Sequence, residues 1–511
     1  MFTKIFSGSI KGINGFIVEV EVDKAKGLPG HTIVGLPGTA VKESRDRIRA
    51  AIKNSGFASP LGFFTVNLAP ANLKKEGPLF DLPIALGMLA LEYNFNLNGF
   101  AKALFIGELS LDGSLRPVKG VLPICLEARG QGIKKIVLPK PNAAEASLIT
   151  DLEIYPIENL LELINHIKGQ TLPAACLNVK AFGQIAAAEP ATVYDGLDFS
   201  EVKGQLVAKR ALEIAAAGFH NILMVGPPGA GKSMLAKRLK TILPPLSYSE
   251  ALEVTKIYSV SGKLLSNEHL IQGRPFRSPH HSISLAGMVG GGTCPLPGEI
   301  SLAHKGILFL DELPEYERKT LESLRQPLED KTITVSRVQD SSAFPADFIL
   351  VAAMNPCPCG HYTDTTERCA CSPSQIRNYW GKLSGPLLER IDLLIEVPRL
   401  KINELANCPT SEGSAQIEKR TTRAWQIQLE RSNLLNANLT TKEIKLSCRL
   451  GKDAADILKE AVYKFKLSGR SFDKALKVSR TIADLEGEAQ IKLAHVAEAL
   501  QYRFAEKRGG L

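Results

Sequence analysis

Between Gly226 and Ser233 the chain reads Gly-Pro-Pro-Gly-Ala-Gly-Lys-Ser, and the apolar run Asn221-Ile-Leu-Met-Val leads straight into it. A short buried strand feeding a glycine-rich turn and then a helix is the opening unit of a doubly wound α/β core. Gly229 and Gly231 let successive backbone N–H groups turn toward one anion. The helix expected from Lys232 adds the positive end of its dipole. In this reading Gly226, Pro227, Pro228, Gly229, Ala230 and Gly231 form a phosphate cradle. Lys232 reaches the β- and γ-phosphates, and the Ser233 hydroxyl is a ligand for Mg²⁺. A second apolar run, Ile307-Leu-Phe-Leu, ends in Asp311 and Glu312. Nucleotide hydrolysis needs two such carboxylates, Asp311 to hold the metal through water and Glu312 to polarise the attacking water. The two motifs in this order predict ATP binding and hydrolysis.

Two further segments extend the site. Phe348-Ile-Leu-Val-Ala-Ala-Met-Asn reads as a third core strand ending in Asn355, which can hydrogen-bond the attacking water or the γ-phosphate. Gly385-Pro-Leu-Leu-Glu-Arg-Ile-Asp puts Arg390 in a helix-to-strand connection. An arginine there can point toward a neighbouring subunit's γ-phosphate and stabilise transition-state charge in trans.

At 511 residues the length predicts two to four domains. The chain is 44% hydrophobic and 23% charged, which excludes wholesale disorder. Its net charge of +9 is uneven: residues 415–511 hold 19 Lys and Arg against 12 Asp and Glu, as suits a polyanion partner. There is no apolar run of transmembrane length and no secretory apolar core at Met1-Phe-Thr-Lys-Ile. Nine unevenly spread cysteines argue against a disulfide scaffold, so a cytoplasmic protein is expected, with no membrane partner.

Periodicity divides the chain further. Residues 1–168 alternate strands and helices without a phosphate loop, as in Phe16-Ile-Val-Glu-Val-Glu-Val, where acids face out and aliphatics face in. Proline-broken stretches at 169–197 read as a linker. Residues 198–400 hold the nucleotide motifs, and 401–511 read as a basic helical lid.

The order of these motifs, Gly-x-x-x-x-Gly-Lys-Ser, Leu-Phe-Leu-Asp-Glu, Ala-Ala-Met-Asn and Leu-Leu-Glu-Arg-Ile-Asp, resembles the AAA+ ATPases of the magnesium-chelatase and MCM branch. Arg274-Pro-Phe-Arg-Ser-Pro-His-His, Gly298-Glu-Ile-Ser-Leu-Ala-His-Lys-Gly and Asn355-Pro-Cys-Pro-Cys-Gly narrow this to the YifB/ComM family of Mg-chelatase-like proteins, nearly end to end. The resemblance implies a homo-hexameric ring that moves along single-stranded and branched DNA, with helicase and branch-migration activity during natural transformation. A chelatase-like metal-insertion motor, or a protein-remodelling ATPase that does not act on DNA, is the alternative. The resemblance also implies that residues 271–300 lie near the ring pore. It implies a pore hairpin whose Arg337 contacts DNA, and a second-sensor helix in which any of Arg470, Lys477 and Arg480 touches nucleotide. His280 and His281 lack metal-ligand spacing, so a pore loop or packed turn is expected there.

Lys75-Glu-Gly-Pro-Leu-Phe-Asp-Leu-Pro and Gly107-Glu-Leu-Ser-Leu-Asp-Gly-Ser-Leu-Arg-Pro-Val resemble the Lon protease domain. The resemblance puts Leu79 at the family's serine position and Leu122 at its lysine position. A Ser–Lys dyad needs a hydroxyl and a desolvated amine, so a non-proteolytic domain is expected. Its basic helix, five Lys and Arg against two acids over Val41–Lys53, allows Arg45 and Arg49 to guide DNA; an oligomerisation scaffold is the equal alternative.

Cys357-Pro-Cys359 and Cys369-Ala-Cys371 are two Cys-x-Cys pairs directly after Asn355. Four thiolates this close gather Zn²⁺ tetrahedrally and leave no open position, so a structural ion is expected, with His361 as a substitute ligand.

Overall fold

The alternating stretch near the start forms the long strand Asn14–Ala25, which from Asn14 to Asp23 pairs antiparallel with Phe2–Lys11. These join a seven-stranded sheet in the order Gly30–Val34, Phe63–Ala69, Asn14–Ala25, Phe2–Lys11, Ala103–Phe105, Lys135–Pro139, Glu153–Ile157. The helix Asp81–Tyr93 packs on the two central strands and is buried from Asp81 to Leu91, which accounts for an apolar sequence with no polar face. Its one buried charge, Asp81, receives a bidentate bond from Arg47 at 2.6 and 3.0 Å and the Leu109 N–H at 3.1 Å. Arg47 is therefore a structural residue of the basic helix Thr39–Asn54.

The computed structural model describes residues 2–100, 102–169, 196–264, 270–292, 295–336, 341–362, 364, 367–400, 411–465 and 468–508. The expected linker at 169–197 lies almost wholly outside them. The chain forms two units: the described residues of Met1–Pro190, Tyr248–Ile271 and Gly292–Pro297, and those of Ala191–Ser247, Gln272–Gly291 and Gly298–Leu511. Two stretches that the sequence puts inside the ATPase core, 248–271 and 292–297, thus fold with the amino-terminal sheet.

In the second unit five parallel strands run in the order Phe276–Arg277, Ile307–Leu310, Ile349–Met354, Ile222–Val225, Leu393–Glu396. The three central strands are buried at every position, as continuous apolar runs covered on both faces must be. Here the strand after the phosphate loop is not its neighbour; Ile349–Met354 lies between Ile222–Val225 and Ile307–Leu310. All three therefore end at one edge, which gathers the phosphate loop, Asp311 and Asn355. This is the AAA+ arrangement of the α/β class.

The carboxyl-terminal part is helical, over Ser414–Ser432, Thr441–Ser447, Lys452–Phe465, Gly469–Leu485 and Leu493–Arg508. Thr440 and Glu443 form a capping box at the second of these, and Ser468 caps the fourth. No helix among the described residues is long and apolar enough to cross a membrane.

Candidate nucleotide site

The phosphate loop turns through Gly229 and Gly231, whose φ angles of +78° and +90° would strain any other residue. The helix Lys232–Leu239 starts directly from it. Lys232 is buried and folded back into the loop, donating to the carbonyls of Gly226 and Pro227 and, at 3.2 Å, to Asn355 Oδ1. Burial lowers its pKa from the usual lysine range, with Asp311 opposing. The Ser233 hydroxyl donates to Asp311 Oδ2 at 2.7 Å. Lys232 with Asn355 and Ser233 with Asp311, drawn from three strand ends, therefore form two hydrogen-bonded pairs side by side. A hydroxyl and a carboxylate this close, beside a cationic amine and a nest of backbone N–H groups, fit Mg²⁺ and a polyphosphate. Glu312 follows on the exposed side, its N–H donating to Asp311 Oδ1 at 3.0 Å.

The cysteine loop leaves the same edge. Sγ–Sγ distances are 3.3 Å for Cys357–Cys359, 3.7 Å for Cys357–Cys369 and 3.6 Å for Cys359–Cys369, and all four thiols, Cys371 included, lie within 4.8 Å of one another. Tetrahedral Zn²⁺ with Zn–S bonds of about 2.3 Å spaces its sulfurs by about 3.8 Å, so this cluster fits a structural metal. The backbone N–H of His361 holds the Cys359 thiol down to about 6, while burial pushes Cys357 up to about 12. The His361 ring faces away, toward Asp364 at 3.5 Å and Glu367 at 3.4 Å, which corrects its reading as a substitute ligand. Sequence reasoning missed that the loop touches the phosphate cradle: a Cβ on Gly360, itself at φ +87°, would sit 2.6 Å from Cδ of Pro228.

Residues 198–405 match the family described as magnesium chelatase, subunit ChlI, residues 20–142 match subunit ChlI of Mg-chelatase, and residues 411–503 match its C-terminal part. "Competence protein ComM" of Haemophilus influenzae is 48% identical over 504 residues, covering 98% of this chain and 97% of that protein. The chain belongs to the ComM/YifB family of Mg-chelatase-like AAA+ proteins. YifB of Salmonella typhimurium is 44% identical over 497 residues, 97% of this chain and 96% of that one. A peroxisomal Lon protease homolog of Caenorhabditis elegans is 29% identical over 145 residues, 27% of this chain and 18% of that protein. In this ComM/YifB chain Leu79 and Leu122, expected from the resemblance at the dyad positions, are both buried in one hydrophobic cluster.

The lid cations lie elsewhere than at the phosphate loop. Arg480 is 1% exposed and bonds Asp484 and the carbonyls of Glu488 and Ala489; Lys477 donates to the Ala437 carbonyl at 2.9 Å. Both find their partners within the lid. Lys474, which the sequence did not single out, is 2.8 Å from the buried Asp392. Burial alone would raise the Asp392 carboxyl, yet Lys474 and His220 hold it well below the usual range. Asp392 and Leu393 both donate to the Asn221 carbonyl at 3.0 Å, so this cluster occupies the amino edge of the sheet. A four-residue strand, about 13 Å, separates that edge from the phosphate loop.

Arg390 is at the amino edge too. Its carbonyl accepts from Asn221 at 3.2 Å, and its guanidinium is 2.6 Å from Glu329, with Arg470 at 3.4 Å from the same carboxylate. Arg390 is buried, whereas the sequence led us to expect a side chain projecting from the surface; Arg470 is the exposed partner. Arg45 and Arg49 are exposed on Thr39–Asn54. Arg337 lies outside the described residues.

Proposed function

We propose that this protein is an ATP-driven DNA translocase of the branch-migration type. The observation that carries the reading is the convergence of two hydrogen-bonded pairs, Lys232 with Asn355 and Ser233 with Asp311, at adjacent strand ends, with Glu312 beside them. With ATP bound, Lys232 exchanges the loop carbonyls for β- and γ-phosphate oxygens. Ser233 and Asp311 are the residues for Mg²⁺, which neutralises phosphate charge. Glu312 takes the proton of the attacking water and Asn355 fixes that water's direction. Arg390 and Arg470 share Glu329 at the far edge of the sheet, so a phosphate they stabilise belongs to a neighbouring copy. This favours a ring of identical subunits, a hexamer by family likeness, with each site completed in trans.

DNA as partner rests on the basic carboxyl-terminal fifth, on exposed Arg45 and Arg49, and on the near full-length likeness to a protein named for competence. In this reading Arg337 grips the DNA backbone. The four cysteines hold a structural Zn²⁺ that steadies Pro228 through Gly360. Incubation of purified protein with a synthetic four-way DNA junction, ATP and Mg²⁺ tests the proposal. The wild type should resolve the junction into two duplexes, and the Glu312→Gln variant should leave it intact. Equal inactivity of the two on every junction tried, with ATP hydrolysis intact in the wild type, would favour a motor that does not act on DNA.

A further inference from the structure

The two stretches that fold with the amino-terminal unit flank residues 272–291, which do not. On the upstream side, helix Tyr248–Ser261 packs on helix Val121–Gly130. The Ser259 hydroxyl donates to the buried carboxylate oxygen of Glu145 that also accepts the Leu122 N–H at 2.9 Å. Tyr248 donates to the Leu148 carbonyl at 2.9 Å, and Gly120 N–H to the Ser259 carbonyl at 3.3 Å. Leu252 and Leu270 pack against the cluster that contains Leu79 and Leu122. The leucines standing where a Lon protease has its dyad are thus the floor on which this segment is anchored. Downstream, Leu296–Pro297 packs on the same helix.

Between the anchors the chain reaches the nucleotide site. Arg277 is held by Glu299 at 2.5 and 2.8 Å, and Arg274 donates to the Lys305 carbonyl at 2.7 Å. Tyr316 donates to the Pro279 carbonyl at 2.7 Å and so docks the following turn onto the short helix Leu313–Glu315. On that turn the His281 ring lies against His280 at 4.0 Å and edge-on to Tyr316 at 6.4 Å. Its Nδ1 is 3.5 Å from Glu312 Oε2. Glu312 has φ +51°, a left-handed conformation uncommon for a residue with a side chain and persistent only where surroundings enforce it.

We propose that the amino-terminal unit restrains ATP hydrolysis through residues 272–291, anchoring both ends of the segment whose His281 holds the Glu312 carboxylate. This rests on the ATPase reading above. An imidazole on one carboxylate oxygen competes with the water that Glu312 must polarise, and movement of either anchor withdraws it. His281 acts through Glu312 and is a positioning residue.

The test is steady-state ATP turnover by the full-length chain without DNA. His281→Ala should raise kcat roughly fivefold or more with KM for ATP unchanged, and His281→Gln, which keeps a donor, should stay near the wild-type rate. Loosening the anchor with Ser259→Ala and Tyr248→Phe together should also raise kcat, and should add nothing in the His281→Ala background. A His281→Ala rate at or below wild type, an anchor variant at the wild-type rate, or additive effects would overturn the proposal. Glu312→Gln is run alongside: undiminished hydrolysis there would instead defeat the water-activating role given to Glu312 in the reading above.

Discussion

The chain contains two α/β sheets whose flanking segments are used in opposite ways. In the AAA+ unit an amine, a hydroxyl, a carboxylate and an amide converge, each hydrogen-bonded to another. In the Lon-like unit Leu79 and Leu122, the residues the resemblance puts at the dyad positions, are sealed in an apolar cluster. Both solutions satisfy the same packing rules, since buried polar groups need partners and apolar ones need only neighbours. What differs is use: strand ends in one unit carry polar groups suited to phosphate, and in the other a connection and a helix supply a hydrophobic floor.

The largest effect expected on the polar side is that of Arg390→Ala, which should lower turnover by about 10³- to 10⁵-fold as an arginine acting on a neighbour's phosphate would. Mixing it with Lys232→Ala subunits should restore part of the rate by pairing intact half-sites. Full activity in Arg390→Ala alone would reduce Arg390 to a partner of Glu329. Next, Glu312→Gln should keep nucleotide affinity and lose about 10²- to 10⁴-fold in turnover. Lys232→Ala should instead weaken binding by roughly a hundredfold, from the loss of charge-assisted bonds to phosphate. Titration of a fluorescent nucleotide, beside turnover, separates the two.

On the apolar side, Leu79→Ser with Leu122→Lys restores the dyad's chemistry but not its access. The double variant should cleave no peptide and should be less stable by about 3 kcal/mol or more, because an amine and a hydroxyl are buried in an apolar cluster. Thermal unfolding and a fluorogenic peptide assay measure both. The smallest effect belongs to the cysteine loop. Wild-type protein should carry about one Zn²⁺ per chain, and Cys369→Ser with Cys371→Ser should lose it. Because Gly360 packs on Pro228, nucleotide affinity should fall several-fold along with turnover.

Much of the nucleotide site was legible because phosphate chemistry constrains side chains and backbone together. Gly229 and Gly231 need positive φ, and Asp311 and Asn355 fall at the ends of apolar runs. The basic lid was legible as charge but not as geometry. Arg480 and Asp484 are four residues apart, an ordinary helical ion pair, and only the fold shows them buried together. His281 on Glu312, thirty-one positions apart in sequence, left no local signal at all. Nor did helix Tyr248–Ser261, whose periodicity marks a helix but not which unit it joins.

The central claim is that the polar strand ends hydrolyse ATP in the service of DNA. Its most direct test is the steady-state ATPase rate of the purified full-length chain with and without branched DNA, beside Glu312→Gln. The account predicts hydrolysis that DNA accelerates in the wild type and that Glu312→Gln abolishes under both conditions. A wild-type rate unaffected by single-stranded or branched DNA at any concentration would contradict it.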